Sequence, residues 1–159
     1  MDKESLRQRM RGIRLRMPEA EVLKKSEIII DSLIKLVDWN NIESLHCYQP
    51  INHLNEVDTR PLLDFLKIGW PQVDVIIQNK SRKLPYQNSR QYDLIIVPTL
   101  AFDNRGFRLG WGGGFYDQFL AKQNEALKVG LSFEAGRVAK IPNEPHDIKL
   151  DLVITESSK

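Results

Sequence analysis

Two short apolar runs in the middle of the chain constrain the fold more than any other feature of the sequence. The runs "VDVIIQ" (73–78) and "YDLIIVP" (92–98) are rich in β-branched residues and lack the regular apolar–polar alternation of a strand with one face in water. They predict central strands, buried on both faces, of a parallel sheet. The polar stretch between them is expected to form a loop.

Helical and strand-like segments alternate along the rest of the chain. Helices are predicted from the N-terminus to Pro18, from about Glu19 to Val37, from Thr59 to Leu66 behind an Asp58 cap, and from Phe115 to about Gln123. Further strands are predicted at "SLHCYQP", "LKVGLSF" and "DLVIT". This order predicts an α/β fold with a parallel or mostly parallel sheet and helices on both sides. A length of 159 residues suits a single domain, over residues 1–159.

The composition excludes membrane-spanning and disulfide-rich classes. No apolar run approaches the length of a membrane span, and the run at 28–30 is too short and too late for a secretory signal. Cys47 is the only cysteine, so an internal disulfide is impossible, and we expect a buried, inert thiol. The chain is therefore expected to be a soluble, cytoplasmic protein and a monomer.

The first 17 residues carry an excess of positive charge. Against Asp2 and Glu4 stand six basic residues, namely Lys3, Arg7, Arg9, Arg11, Arg14 and Arg16. This asymmetry predicts contact with an anionic group.

A glycine-rich run, "RLGWGGGFYD" at 108–117, lies between a predicted strand and a predicted helix. Ligands of open α/β sheets bind beyond the carboxyl ends of the strands, and successive backbone N–H groups beside a helix start can bind phosphate oxygens. Arg108 can add a bidentate clamp, and Asp117 can hold a magnesium ion. The run therefore predicts a phosphate site.

Two common phosphate motifs do not fit this run. The dinucleotide pattern GxGxxG is met at Gly110 and Gly112, but its third position is Phe115, and no Gly-Lys-Ser/Thr sequence follows as in a Walker A loop. A flexible surface turn is the alternative interpretation. The aromatic residues Trp111, Phe115 and Tyr116 argue against it.

The segments "DLIIVPTLAFDNRGFRLGWGGGFYDQFL" and "PNEPHDIKLDLVITE" resemble the signature and the C-terminal segment of the 5-formyltetrahydrofolate cyclo-ligase family. The segments "KESLR" and "NEVDT" resemble weaker landmarks of the same family. The resemblance implies a three-layer α/β/α sandwich and an ATP- and Mg²⁺-dependent closure of 5-formyltetrahydrofolate to 5,10-methenyltetrahydrofolate. Its partners are then small molecules, ATP and a reduced folate, with no nucleic acid and no membrane.

The same resemblance assigns roles to individual residues. Arg108 and Tyr116 would act in catalysis, and Asp117 and Asp147 would hold Mg²⁺. Reduced folate would contact Glu56, Trp111, Phe115 and Tyr116. ATP would contact Lys3, Arg7, Arg108, Leu109, Gly110, Trp111, Gly112, Gly113, Gly114, Phe115 and Tyr116.

Each of these roles has a plainer alternative. Lys3 and Arg7, one helical turn apart, form either a polyphosphate site or a solvated basic face. Asp147 is either a metal ligand or a loop cap, and Glu56 is either a folate ligand or a charge at a helix entry. His146 is expected to be structural, and His46 has no spacing that indicates a metal pair.

The chain also departs from the family pattern. Its segment from Thr59 to Asp93 is shorter than expected and offers only Trp70 and Tyr86 as cover for a pterin ring, and Gly136 stands where the family usually has glutamine. A catalytically silent ATP- or folate-binding paralogue therefore stays open as an alternative. A nucleic-acid-binding protein is disfavoured, because the basic residues do not continue into a stripe with interleaved aromatics.

Overall fold

The computed structural model describes residues 1–83 and 89–159 of the chain and has a parallel sheet of five strands flanked by helices. In chain order the helices and strands are α1 (Lys3–Leu15), α2 (Glu19–Leu36), β1 (Ser44–Tyr48), α3 (Arg60–Gly69), β2 (Asp74–Gln78), β3 (Leu94–Pro98), β4 (Ala101–Phe102), β5 (Arg108–Leu109), α4 (Phe115–Ala121), β6 (Leu127–Leu131) and β7 (Leu152–Ile154). The sheet order is β2-β1-β3-β6-β7, and β4 and β5 form a separate two-stranded antiparallel ribbon. The predicted α/β class is confirmed.

The chain connections diverge between β1 and β3, which lie side by side in the sheet. From β1 the chain passes through α3 to β2 on one side, and from β3 it passes through α4 to β6 on the other. Parallel crossovers are right-handed, so α3 and α4 cover opposite faces of the sheet. The carboxyl ends of β1 and β3 thus border a topological switch point, where open α/β sheets bind ligands.

The predicted helices form with small differences at their ends. Asp2 caps α1 by accepting from the backbone N–H of Ser5 at 2.7 Å, and Pro18 immediately precedes α2. Helix α3 begins at Arg60 rather than Thr59, yet the Asp58 carboxylate still accepts from the Arg60 N–H at 3.1 Å. Helix α4 ends at Ala121, two residues before the predicted end.

Of the two apolar runs, only the second forms a central strand. All five residues of β3 are buried, as predicted, between β1 and β6. The prediction for "VDVIIQ" is wrong in position, because β2 is an edge strand that pairs only with β1 in the described sheet. Ile77 is 50% exposed there, so an apolar β-branched run does not by itself indicate burial on both faces.

The buried side chains form a main cluster around the sheet and a smaller one under α1. The smaller cluster contains Leu6, Met10, Leu100, Ala101, Phe107, Leu109 and Ile141. Arg14 is buried beside it and donates to the carbonyls of Thr99 and Leu100 at 2.9 and 3.1 Å, with further bonds to Asn55 O and Ser132 Oγ. Burial lowers the pKa of Arg14 to about 10. This member of the basic N-terminal group is therefore a core residue and not an anion contact.

Cys47 and His46 of β1 are both core residues. Cys47 is fully buried in β1, and burial raises its pKa to about 12, as expected for an inert thiol. His46 is also buried, against the rings of Phe119 and Tyr92. Among the described residues, none of the helices combines the length and the apolar character that crossing a bilayer requires.

Candidate functional site

A cavity of about 400 Å³ opens beside the switch point, beyond the carboxyl ends of β1 and β3. Its described lining falls into two groups. We call the first group the glycine wall: Lys3, Arg7, Arg108, residues 110–115, Asp117, Glu144, His146 and Asp147. We call the second group the Arg82 wall: Ile51, Leu54, Ser81, Arg82, Pro98 and Tyr116. The cavity thus lies where the sheet topology predicts a ligand site.

The glycine run approaches the cavity with its backbone. Gly112 and Gly114 have φ angles of +113° and +72°, a region that side chains disfavour. Gly112 also packs on α1, since a Cβ there would lie 3.5 Å from Arg7 Nε. A Cβ at Gly113, in contrast, would meet open space. This arrangement leaves room for a ligand next to the peptide groups, as the sequence predicts.

Lys3 and Arg7 project from the same face of α1 into the glycine wall. Lys3 Nζ lies 2.6 Å from Asp147 Oδ2 and 3.6 Å from Glu144 Oε2. Arg7 donates from Nε to the Gly110 carbonyl at 3.1 Å. Both side chains are partly buried and paired within the chain, so the solvated basic face is not what the structure contains.

Arg108 and Asp117 form a second ion pair of the glycine wall. Arg108 Nη1 lies 3.1 Å from Asp117 Oδ1 and also donates to the Ile148 carbonyl. The Arg108 side chain is only 6% exposed, whereas that of Asp117 is 27% exposed. The guanidinium is therefore held firmly at the edge of the cavity, and its carboxylate partner is the more accessible of the two.

Asp147 forms the loop cap that the sequence left open as one of two roles. Its Oδ2 accepts from the Glu144 N–H at 2.7 Å as well as from Lys3. Burial opposes ionisation of this carboxyl, but the hydrogen bonds from Lys3 and the Glu144 N–H together with the charge of Lys3 outweigh burial and lower the pKa of Asp147. The carboxylate is thus charged at neutral pH.

The carboxylates at 117 and 147 retain the donor atoms that a magnesium ion needs. Asp117 uses Oδ1 and Asp147 uses Oδ2 for the internal hydrogen bonds, and within the described residues the other oxygen of each accepts none. Mg²⁺ is bound in proteins by one or two carboxylate oxygens together with water and phosphate. These two residues therefore fit the predicted metal.

A three-residue cluster beside this pair contains a possible additional ligand. The ligand atoms of Glu144, His146 and Asp147 lie within 4.8 Å of one another. The His146 side chain is 69% exposed, with Nε2 3.2 Å from Glu144 Oε2, and its structural role stays a prediction. The ammonium of Lys3 already provides a positive charge to this cluster.

Glu56 lies behind the Arg82 wall and is absent from the described lining of the cavity. Its carboxylate accepts from Arg82 Nη1 at 2.6 Å and Nη2 at 2.8 Å, and from the Ile51 N–H at 2.8 Å. Glu56 is 4% exposed, so it is not a solvated charge at a helix entry. Its predicted contact with folate stays a prediction.

The aromatic residues of the run lie at the cavity with different degrees of burial. Phe115 and Tyr116 are 4% and 7% exposed, and their ring centroids are 5.0 Å apart. Burial raises the pKa of Tyr116, and its hydroxyl has no hydrogen-bond partner among the described residues. The indole N–H of Trp111 is likewise buried and unpartnered in the described part of the chain. Both groups are available to a ligand that reaches them.

Besides Glu56, a second predicted contact residue does not line the cavity, and two residues were missed. Leu109 is 1% exposed in the smaller cluster, because β5 turns its side chain away from the cavity. Arg11 bonds to the Trp111 carbonyl and lies over its ring at 5.6 Å, so it holds the run to α1. The spacing of 3, 7 and 11 along α1 could have identified it. Arg82 was also missed, since no motif surrounds it.

The structure describes two of the three residues that bear on the departures from the family pattern, Trp70 and Gly136. Trp70 lines a separate groove with Leu63 and Val75 and does not reach the main cavity, whereas Tyr86 lies outside the described residues. A Cβ at Gly136 would lie 2.7 Å from Leu100 O and from Ser132 Oγ. This position therefore has no room for a glutamine side chain.

The chain matches a family model and curated proteins. The model described as the 5-formyltetrahydrofolate cyclo-ligase family matches residues 68–156. A protein of Mycoplasma genitalium named 5-formyltetrahydrofolate cyclo-ligase is 30% identical over 97% of this chain and 98% of its own length.

Solved structures have the same fold. A 5,10-methenyltetrahydrofolate synthetase from Mycoplasma pneumoniae superposes with a TM-score of 0.81 at 23% identity, covering 99% of this chain and 100% of that one. The Aquifex aeolicus 5,10-methenyltetrahydrofolate synthetase gives a TM-score of 0.80 at 27% identity, over 99% of this chain and 91% of that one.

Proposed function

The chain belongs to the 5-formyltetrahydrofolate cyclo-ligase family, and on this premise we propose that it converts 5-formyltetrahydrofolate and ATP into 5,10-methenyltetrahydrofolate, ADP and phosphate. The observation that supports this proposal most is the cavity at the switch point. It joins glycine backbone, three cations and three carboxylates on one wall to a mainly apolar surface with a single arginine on the other. The first wall suits a magnesium–polyphosphate, and the second suits a flat heteroaromatic ring.

The chemistry requires activation of an amide. The formyl oxygen is a poor leaving group, so transfer of the γ-phosphoryl group from ATP to this oxygen gives an iminium phosphate. The N10 nitrogen then attacks the activated carbon and the five-membered ring closes, after which phosphate leaves with the C–O bond electrons and the N10 proton is released to phosphate or water. Such a sequence needs position and charge stabilisation rather than a protein nucleophile. We assign charge stabilisation to Arg108, Lys3 and Arg7, and a positioning role to Tyr116.

The ion pairs of the glycine wall suit an exchange of partners. Lys3 and Arg108 each face a carboxylate that also lines the cavity, Asp147 and Asp117. When polyphosphate enters, these cations can turn from carboxylate to phosphate oxygens, which they bind with comparable strength. Asp117 and Asp147 would then hold Mg²⁺, whose charge neutralises the phosphate oxygens. Lys3, Arg108, Asp117 and Asp147 would then each keep a partner of opposite charge.

The arrangement of α1 supports a small-molecule partner over nucleic acid. Lys3, Arg7, Arg11 and Arg14 all bond within the chain, and Arg14 is buried. A nucleic-acid surface requires a continuous stripe of accessible cations. The cytoplasmic location and the monomeric state predicted from the sequence stay predictions.

The proposal is tested by following the near-ultraviolet absorbance of the methenyl product in a mixture of protein, 5-formyltetrahydrofolate, ATP and Mg²⁺. We expect the absorbance to rise in proportion to protein concentration, and only with both ATP and Mg²⁺ present. No rise above the protein-free control, together with calorimetric binding of ATP, would instead identify a catalytically silent paralogue. Salt-dependent RNA retention on filters without ATP binding would contradict both.

A further inference from the structure

Arg82 is held on the cavity wall by contacts of both terminal nitrogens, whereas its buried Nε has no hydrogen-bond partner among the described residues. Both of its terminal nitrogens bond to Glu56, at 2.6 and 2.8 Å, and Nη2 also donates to the Gln49 carbonyl at 3.2 Å. Its guanidinium carbon lies 5.6 Å from the ring centroid of Tyr48 and 5.9 Å from that of Tyr116. The side chain is 12% exposed, and that exposed fraction faces the cavity. Position and orientation of the guanidinium are therefore fixed before any ligand binds.

The strained backbone and the buried charge of Arg82 argue against a purely structural role for this residue. Arg82 has a φ of +40°, which is unfavourable for a residue with a side chain. Burial opposes the charge of Arg82, yet the hydrogen bonds that Arg82 donates to Glu56 and the negative charge of that carboxylate together overcome this and raise the pKa of Arg82. A buried ion pair is often no more stabilising than apolar residues of similar volume. Strained backbone and desolvated charge at a cavity wall are typical of functional sites.

The hydrogen-bond capacity of Glu56 is nearly exhausted. A carboxylate has about four lone-pair positions, and Glu56 already accepts three hydrogen bonds, two from Arg82 and one from the Ile51 N–H. The pterin edge of a folate has several adjacent N–H donors, which this carboxylate cannot accept without releasing Arg82. Arg82, in contrast, lines the cavity and carries only donors.

We propose that Arg82 is the folate-binding residue of its wall, donating from its guanidinium to a carbonyl oxygen of the reduced folate, and that Glu56 is a positioning residue that holds Arg82. This inference rests on the proposed function and names the residue that selects the second substrate. The Tyr116 ring lies 5.9 Å from the guanidinium carbon of Arg82 and 5.0 Å from the ring of Phe115, so this contact is next to the glycine wall. A carbonyl oxygen of the folate is thereby recognised by Arg82.

The first test compares Arg82→Met with Arg137→Met in the absorbance assay. Arg137 is a matched control, because it is also paired with a carboxylate, Glu134, and lies 4.8 Å from the Phe102 ring, yet it is absent from the described lining of the cavity. We expect Arg82→Met to raise the KM for 5-formyltetrahydrofolate by about tenfold or more, with the KM for ATP changed by less than about twofold. Arg137→Met should change neither. An unchanged folate KM in an active Arg82→Met enzyme overturns the proposal.

A second test separates direct contact from indirect support through Glu56. In a Glu56→Gln background the ion pair is already removed, so a purely supporting Arg82 would have nothing left to contribute. We expect Arg82→Met to raise the folate KM further in that background, and no further rise overturns the proposal. Arg82→Lys keeps the charge but not the planar fork, and we expect it to recover only part of the loss.

Direct measurement of folate binding distinguishes a failure of this inference from a failure of the proposed function and from a folding defect of the variant. If the wild-type protein makes no methenyl product, the proposed function fails. Arg82 is then judged by calorimetry with 5-formyltetrahydrofolate: about tenfold weaker binding by Arg82→Met supports its role, and wild-type affinity refutes it. If Arg82→Met does not fold, as judged by thermal unfolding and lost ATP binding, the folded Arg82→Lys protein replaces it, and unchanged folate affinity in that variant refutes the proposal.

Discussion

The glycine wall and the Arg82 wall hold their cations in different ways. On the glycine wall the partners of Lys3 and Arg108 are carboxylates that themselves line the cavity. On the Arg82 wall the partner is Glu56, whose side chain is 2% exposed. A carboxylate that lines the cavity can exchange its cation for an ion that enters the cavity, whereas a carboxylate behind the wall that loses its cation is left as an unpaired buried charge. The glycine wall is thus suited to exchange ions, and the Arg82 wall to keep its geometry.

The largest effect expected on the glycine wall comes from Arg108→Ala. If Arg108 stabilises the transferring phosphoryl group, its removal should cost roughly 2 to 4 kcal/mol, or about 30- to 1,000-fold in kcat. Steady-state kinetics with both substrates saturating measures it. Arg60→Ala is the control, since Arg60 also pairs with a carboxylate, Asp58, but its side chain is 64% exposed and it is absent from the described lining of the cavity. Wild-type kinetics in Arg108→Ala would remove the distinction between the two walls.

Gly113→Val should reduce ATP binding without affecting the fold. A Cβ at Gly113 meets open space, so the fold should persist while the side chain occupies volume meant for phosphate. We expect ATP affinity to fall by about tenfold or more, roughly 1.4 kcal/mol, in calorimetry. Gly69→Val is the matched control, because a Cβ at Gly69 also meets nothing within 4 Å but lies at the end of α3. Equal ATP affinities of the two variants and the wild type would place the phosphates elsewhere.

Asp147→Asn distinguishes the loop cap from the metal ligand. The amide oxygen of asparagine can still accept from the Glu144 N–H, so the cap survives, while the charge facing Lys3 is lost. We expect the Mg²⁺ concentration for half-maximal turnover to rise about fivefold, since a carboxylate is the stronger ligand of this hard cation. Superimposable Mg²⁺ titrations of variant and wild type would leave the cap as the whole function of Asp147.

The smallest effect is expected at the boundary of the two walls, for Tyr116→Phe. The Tyr116 hydroxyl is buried without a hydrogen-bond partner among the described residues, so its removal should leave the free energy of unfolding unchanged or raise it by up to about 1 kcal/mol. If the hydroxyl positions substrate, kcat should fall by about threefold at the same time. Denaturant titration and kinetics on the same preparation measure both. Lower stability with unchanged kcat would make Tyr116 a structural residue only.

The glycine wall could largely be predicted from the sequence because most of its parts are contiguous. Residues 108–117 contain the glycines, an arginine and an aspartate, and a strand precedes them, so chemistry and position can be read together. Asp147 was added only through family resemblance, whereas for Lys3 and Arg7 the resemblance agrees with the anion contact that the basic N-terminus predicts. The structure brings their side chains to the same cavity. Leu109 was included by its place in the run, although strand β5 turns it into the core.

The Arg82 wall could not be predicted in the same way. Its residues come from the loops after β1 and β2, the end of β3 and the start of α4, and only the sheet order brings them together. That order was itself beyond the sequence, because "VDVIIQ" has the composition of a central strand and yet forms the edge. Burial of Arg14 was missed for a related reason, since carbonyl partners from distant segments leave no trace in the composition.

The anchoring of Arg14 has a consequence for the dynamics of the molecule. Its guanidinium bonds to acceptors at Asn55, Thr99, Leu100 and Ser132, so α1 cannot separate from the body of the protein without stranding a buried charge. Because Lys3 and Arg7 are on the same helix, their backbone is held in place at the cavity by the same bonds. Amide hydrogen exchange along the middle of α1 should therefore proceed only through global unfolding. Any local motion that admits substrate must then occur on the side of the cavity opposite α1.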